Sequence, residues 1–92
     1  MPRHIESDAV LVIDGTEWAV YARVSIFGDG AQVKGWFGSL RSDDLRLERE
    51  LLNARVAILR MPDGKEGLIR TSDGPSSRRG EVAFTGSGRP PA

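Results

Sequence analysis

Two β-type runs joined by a Pro-Asp-Gly turn constrain the fold of this chain most strongly. The first run, 54–61, carries apolar side chains on both of its alternating faces, and the second run, 65–71, follows the turn at 62–64. Pro62 fixes φ near about −65° at the first turn position, and Gly64 can adopt the positive φ of a tight reversal. A strand that is apolar on both faces needs cover on both sides. We therefore expect the first arm of this hairpin at the centre of a sheet or in a closed barrel.

Three further runs with strand patterns precede the hairpin. The run 9–13 is apolar on both faces and ends at Asp14-Gly15, a pair that favours a tight turn at positive φ. The next run alternates most clearly, and its predicted inward side chains are Trp18, Val20, Ala22, Val24 and Ile26. After a reversal at 28–30, the run 31–40 is predicted to point Val33 and Phe37 inward and Gln32, Lys34 and Trp36 outward. Its glycines, Gly35 and Gly38, indicate a bulge or a bend.

The pattern changes to a helical period between residues 42 and 53. Ser42 can cap a helix, acidic residues follow it, and leucines recur at spacings of three and four. A loop is predicted at 72–77, and a last strand at 79–85 points Val82 and Phe84 inward. The fold class is therefore mainly β: a single small antiparallel curved sheet or barrel of about six strands, with one short helix between strands 3 and 4.

At 92 residues the chain has room for one modest core. We expect a flexible N-terminal lead at 1–7, a single β-domain at 8–86 and a Gly/Pro-rich C-terminal tail at 87–92. The sequence shows no signal-peptide core and no apolar run of membrane-spanning length, so we expect a cytoplasmic protein with no membrane contact.

Residue chemistry argues against catalysis and against bound cofactors. The chain has no cysteine, and its single histidine, His4, lies in the predicted lead. No candidate nucleophile has a neighbouring base, and no acidic cluster has metal-ligand spacing. We therefore expect that the chain is not an enzyme and that it has no catalytic residues, no cofactor and no metal site. The formal net charge is zero, so the chain also lacks the excess of basic residues that is typical of nucleic-acid-binding proteins.

The aromatic residues supply the candidate site. Tyr21 and Trp36 lie in the polar phase of their predicted strands, with Arg23 and Lys34 beside them in sequence. Tyr, Trp and Arg are the usual anchors of protein interfaces, so these four residues are the predicted contact surface for a protein partner or a homodimer. Ordinary surface packing and base stacking on a single-stranded nucleic acid are the alternative interpretations of the same residues.

The order of the motifs resembles an actinobacterial domain-of-unknown-function family, which occurs alone or at the C-terminus of flavin-containing monooxygenases. The matching segments are Ile13-Asp14-Gly15, Gly35-Trp36-Phe37-Gly38, Arg60-Met61-Pro62-Asp63-Gly64, Arg79-Gly80 and the run from Thr85 to Pro91. The chain departs from the family in its shorter connection before Asp29, in the loop at 74–77, which lacks the family's Trp-Gly, and at Ala92, where the family has an aromatic residue. The resemblance implies an accessory domain and supplies no catalytic residues.

Together these observations predict a non-enzymatic accessory or protein-interaction module whose partner is another protein or a second copy of the chain. The first alternative is a small-ligand-binding β-barrel, with the ligand between the sheet and the helix. The weaker alternative is a barrel that binds single-stranded nucleic acid.

Overall fold

A computed structural model describes residues 3–29, 32–44, 46–54, 57–71 and 81–91. The elements run in the order β1 (Arg3–Ile13), β2 (Thr16–Asp29), β3 (Gln32–Arg41), α1 (Arg46–Asn53), β4 (Ala57–Arg60), β5 (Glu66–Thr71) and β6 (Glu81–Ser87). The strands close into one barrel in the order β1-β2-β3-β6-β5-β4, and every neighbouring pair is antiparallel. The predicted antiparallel barrel of about six strands, with a helix between strands 3 and 4, is confirmed.

Two of the predicted turns form as their residues suggest. Asp14 and Gly15 adopt φ values of 49° and 82° between β1 and β2, the two positive angles of a tight hairpin turn. Between β4 and β5, the Met61 N–H donates to the Lys65 carbonyl at 2.9 Å and Gly64 has φ 90°. The reversal predicted at 28–30 and the loop at 72–77 lie partly or wholly outside the described residues.

The first arm of the central hairpin is buried on one face only. Ala57, Leu59 and Met61 are buried inside the barrel, whereas Ile58 faces outward and is half-buried. Val12 and Leu68 flank Ile58 on the neighbouring strands. The expectation of cover on both faces is therefore wrong for the outer face, because no further layer of described residues packs there. Arg55 and Val56 lie outside the described residues.

The helix covers the end of the barrel where β3 ends and β4 begins. Leu47 and Leu51, four residues apart on one side of α1, are buried in the same core cluster as the strand side chains. Asp44 caps this helix, since its Oδ1 accepts the Arg46 N–H at 3.0 Å. Ser42, the predicted cap, instead accepts the N–H of Asp44 and orders the approach to the helix.

Both chain ends differ from the predicted lead and tail. Residues 3–7 belong to β1 and pair with 22–26 of β2. Ile5 lies on the same inward face of the strand as Ala9 and packs against the core. Ser87 is the last residue of β6, and Pro91 is buried against the barrel. The described part of the C-terminal segment therefore packs on the fold.

The inward phase of β3 is opposite to the predicted one. Trp36 is 2% exposed and Leu40 is fully buried, whereas Phe37 and Val33 are 50% and 51% exposed. Phe27 lies opposite Gly35 but Gly28 lies opposite Val33, so β3 has one residue more than β2 at this step. From Gly35 onward Trp36 points into the barrel, because the glycines at 67 and 86 leave room for its indole. Phe37 therefore faces outward, and the predicted inward phase of β3 is wrong.

Candidate functional site

Trp36 fills the end of the barrel opposite the helix. Its indole packs on the backbone of Gly86 and Gly67, where an added Cβ would lie 2.0 Å and 2.6 Å from ring atoms. The indole Nε1 donates to the Gly88 carbonyl at 3.0 Å, and the Phe84 ring contacts Trp36 edge-on at a centroid distance of 6.0 Å. Trp36 is therefore a core residue whose polar atom is satisfied within the fold.

The outward side chains of β2 and β3 form an exposed surface that we term the aromatic face: Tyr21, Arg23, Phe27 and Phe37. Phe27 and Phe37 contact each other with centroids 6.0 Å apart and an interplanar angle of 58°, yet remain 45% and 50% exposed. The Phe27 ring lies over Gly35, where a Cβ would come within 2.6 Å of it. Phe27 lies six positions after Tyr21 along an extended strand, so the face is about 20 Å long.

Charged and polar groups of β1 flank the aromatic face. Arg23 Nε donates to Glu6 Oε1 at 2.7 Å, and His4 Nδ1 lies 3.3 Å from Ser25 Oγ. Glu6 lies opposite Arg23, and His4 lies opposite Ser25, in the β1–β2 register. An exposed aromatic pair bordered by paired charges has the composition of a protein interface, with an apolar centre and a polar rim.

The structure brings two of the four predicted contact residues together with residues that the prediction missed. Tyr21 and Arg23 face outward from β2, on the same face as Phe27 and Phe37. Lys34 is exposed at the bulge of β3. Trp36 must be removed from the predicted surface because its indole is inside the barrel.

A signal for the correct phase was present in the sequence. Trp36 is in phase with Leu40, and Gly67 and Gly86 leave the space that an inward indole requires. The prediction that Val33 and Phe37 point inward did not take these two features into account.

A cleft lies beside Trp18, at the helix end of the barrel. It has a volume of about 480 Å³ and is lined by Thr16, Glu17, Trp18, Ala19, Ser42, Asp43, Asp44 and Arg46. The predicted core residue Trp18 is half-buried there, and the Arg46 guanidinium lies 5.8 Å from its ring centroid. The buried Trp18 Nε1 has no hydrogen-bond acceptor among the described residues.

Arg46 also stabilises the ionised form of Asp44, the acidic helix cap. Its Nε and Nη2 donate to the two carboxylate oxygens of Asp44 at 3.0 Å and 2.8 Å. These hydrogen bonds, followed by the backbone N–H of Arg46, lower the pKa of Asp44 from 3.8 to about 2. Asp44 is therefore a charged, paired carboxylate at neutral pH, which is the state of a helix cap and unlike that of a general acid.

The described residues contain no group of three or more His, Asp or Glu side chains that could hold a metal ion. Among the same residues, no helix has the length and apolarity to cross a membrane. Comparison with known proteins gave no matching family model, no matching curated protein and no matching solved structure. The resemblance to the accessory-domain family therefore stays a prediction.

Proposed function

We propose that this chain is a non-enzymatic protein-interaction module whose aromatic face contacts another protein chain. The observation that carries the proposal is the Phe27–Phe37 pair, which is ordered by mutual contact but left about half exposed. Burying the remaining apolar area of two phenylalanines would contribute to binding, since aromatic side chains dominate interface energetics. Tyr21 and Arg23 extend the contact along β2.

The interior of the barrel favours this proposal over a small-ligand barrel. Leu11, Val24, Leu40, Leu59 and Phe84 are fully buried within it, and α1 adds Leu47 and Leu51 at one end. None of four clefts of 290 to 480 Å³ formed by described residues is lined by those five core side chains.

Charge on the aromatic face argues against nucleic acid as its ligand. Arg23 is held by Glu6, so the phosphate-binding potential of this guanidinium is reduced by an adjacent carboxylate. Because the formal net charge is zero, overall electrostatic repulsion does not oppose the association of two copies of the chain. A second copy of the chain is therefore the first partner to test.

Sedimentation velocity across a concentration series tests the proposal with two matched variants. Phe37→Ser removes the centre of the aromatic face, and Leu68→Ser removes an outward side chain of similar exposure, 45%, on β5. We expect association with a second copy, or with a partner purified from native cells, to fall at least about tenfold in Phe37→Ser and to change little in Leu68→Ser. Equal affinities for both variants, or a monomer that binds no protein, would contradict the proposal.

A further inference from the structure

β1 is much longer than the strand that pairs with its second edge. β2 pairs with β1 from Arg3 to Ile13, but β4 pairs only from Val10 to Ile13. Among the described residues, the segment 3–9 therefore has no strand on its second edge. A bare edge of seven residues presents unpaired backbone N–H and C=O groups over about 23 Å.

Two clefts lie along this bare edge and meet at the β4–β5 turn. One, of about 290 Å³, is lined by Arg3, Ile5, Ser7, Met61, Pro62, Asp63, Lys65 and Pro91. The other, of about 370 Å³, is lined by Asp8, Ala9, Val10, Arg60, Met61, Pro62 and Gly64. Both include Met61 and Pro62, so they adjoin at the turn, and we term the two adjoining clefts the trough.

The two rows of β1 side chains define what an added strand would contact. Ile5 and Ala9 point to the inner side of the strand, near the buried Met61 and Pro91 of the trough. Glu6 and Asp8 are exposed on the outer side; Glu6 is paired with Arg23, whereas Asp8 makes no ion pair among the described residues and is the carboxylate left for a partner's cation. Cross-strand neighbours on one face of a sheet interact directly, so apolar residues suit the inner row and cations suit the outer row.

From this edge, trough and charge pattern we propose that β1 binds an extended segment of a partner protein in which apolar residues alternate with Lys or Arg. The segment adds to the barrel as a strand beside 3–9, with backbone hydrogen bonds supplying affinity and the alternating side chains supplying specificity. A second copy of β1 fits less well. The antiparallel register that pairs all seven residues sets Glu6 against Glu6, and like charges directly opposite each other destabilise a sheet.

The strand-binding edge is separate from the aromatic face. The aromatic face consists of outward side chains of β2 and β3, whereas the bare edge is the side of β1 that points away from β2. Glu6 borders both surfaces through its ion pair with Arg23, so Phe37 and Asp8 are the residues whose replacement separates them.

Short synthetic peptides test strand addition on the whole chain. The probe is a labelled seven-residue peptide of alternating Lys and Val, and its charge-reversed control alternates Glu and Val. Two further Lys/Val peptides carry backbone N-methyl groups, one on its Lys residues and the other on its Val residues. Each of them therefore lacks N–H donors along one of its two edges. Fluorescence anisotropy measures affinity, and amide shifts in an NMR spectrum locate the binding site.

We expect the Lys/Val peptide to bind at least about tenfold more tightly than the Glu/Val peptide and to shift the amides of Ile5, Ser7 and Ala9. One N-methylation phase abolishes binding, and the other retains it. Asp8→Lys weakens binding about five- to tenfold, whereas Glu50→Lys, the same charge change on the exposed face of α1, leaves it nearly unchanged.

Three results would overturn the inference. The first is absence of saturable binding of the Lys/Val peptide. The second is equal affinity for both N-methylated peptides, which would indicate side-chain docking without strand pairing. The third is amide shifts confined to the aromatic face. The N-methylated peptides are measured on the unaltered chain, so the test does not depend on how well Asp8→Lys folds.

Discussion

The indole of Trp36 lies directly on the backbone of Gly86, so close that a Cβ at position 86 would be 2.0 Å from the ring. This contact lies on the inner side of the barrel between the neighbouring strands β3 and β6, and Gly88 is within hydrogen-bond distance of Nε1. It explains why two adjacent aromatic residues of β3 have opposite environments. Trp36 fills the end of the barrel, and Phe37 faces outward and is half exposed.

Replacing each of these neighbours by alanine should separate their roles. Trp36→Ala removes a buried indole and its hydrogen bond, and we expect a loss of about 3–5 kcal/mol in the free energy of unfolding. Phe37→Ala truncates a half-exposed ring, and we expect a loss of about 1 kcal/mol or less. Urea denaturation followed by circular dichroism measures both. Similar losses for the two variants would mean that the inward phase of β3 is assigned incorrectly.

The contact between Trp36 and Gly86 should appear as an energetic coupling. We expect Gly86→Ala to cost roughly 1–3 kcal/mol or more in the native chain, because the new Cβ overlaps the indole. In a Trp36→Leu background the same change should cost less, with a coupling energy of about 1–3 kcal/mol from a double-mutant cycle. Gly64→Ala, at a turn with φ 90° and no atoms within 4 Å of the added Cβ, is the control that should cost the same in both backgrounds.

Asp44 should make folding stability depend on pH in the acid range. Its folded-state pKa of about 2 lies below its ordinary value of 3.8, so the unfolded chain binds more protons between these values. The stabilisation from ionised Asp44 is therefore fully present above about pH 5 and is lost as the pH falls through 3.8 towards 2. Denaturation of the native chain and of Asp44→Asn at several pH values isolates this effect. A constant difference between them from pH 5 to pH 2 would contradict it.

Most of the fold could be predicted because local chemistry and tertiary structure agree along most of the chain. The alternation from Val20 to Ile26 gives the inward phase of β2, and Asp14-Gly15 has the angles its turn requires. The hairpin around Pro62–Gly64 forms as expected. In these segments a single local pattern determines the structure.

The candidate site was harder to predict because it depends on β3, where the local pattern is ambiguous. Adjacent Trp36 and Phe37 fit either phase of a strand, and Val33 before them is apolar yet exposed. The phase is decided by non-local contacts with Gly67, Gly86 and Gly88, which are distant in sequence. The N-terminal part of β1 was not predicted as a strand because its sequence is mostly polar. Its strand structure comes from pairing with β2, a non-local contact that the local pattern does not show.

The central functional claim is that the aromatic face, with Phe37 at its centre, contacts another protein chain. Its most direct test replaces Phe37 by the photo-crosslinking residue benzoylphenylalanine in native cells, with the same replacement at Leu68 as the matched control. We expect one crosslinked protein, or a crosslinked dimer, at position 37 and none at position 68. The captured protein should then bind the purified chain directly and lose that affinity in Phe37→Ser but not in Leu68→Ser. Crosslinks of equal yield at both positions, or none at position 37, would contradict the account.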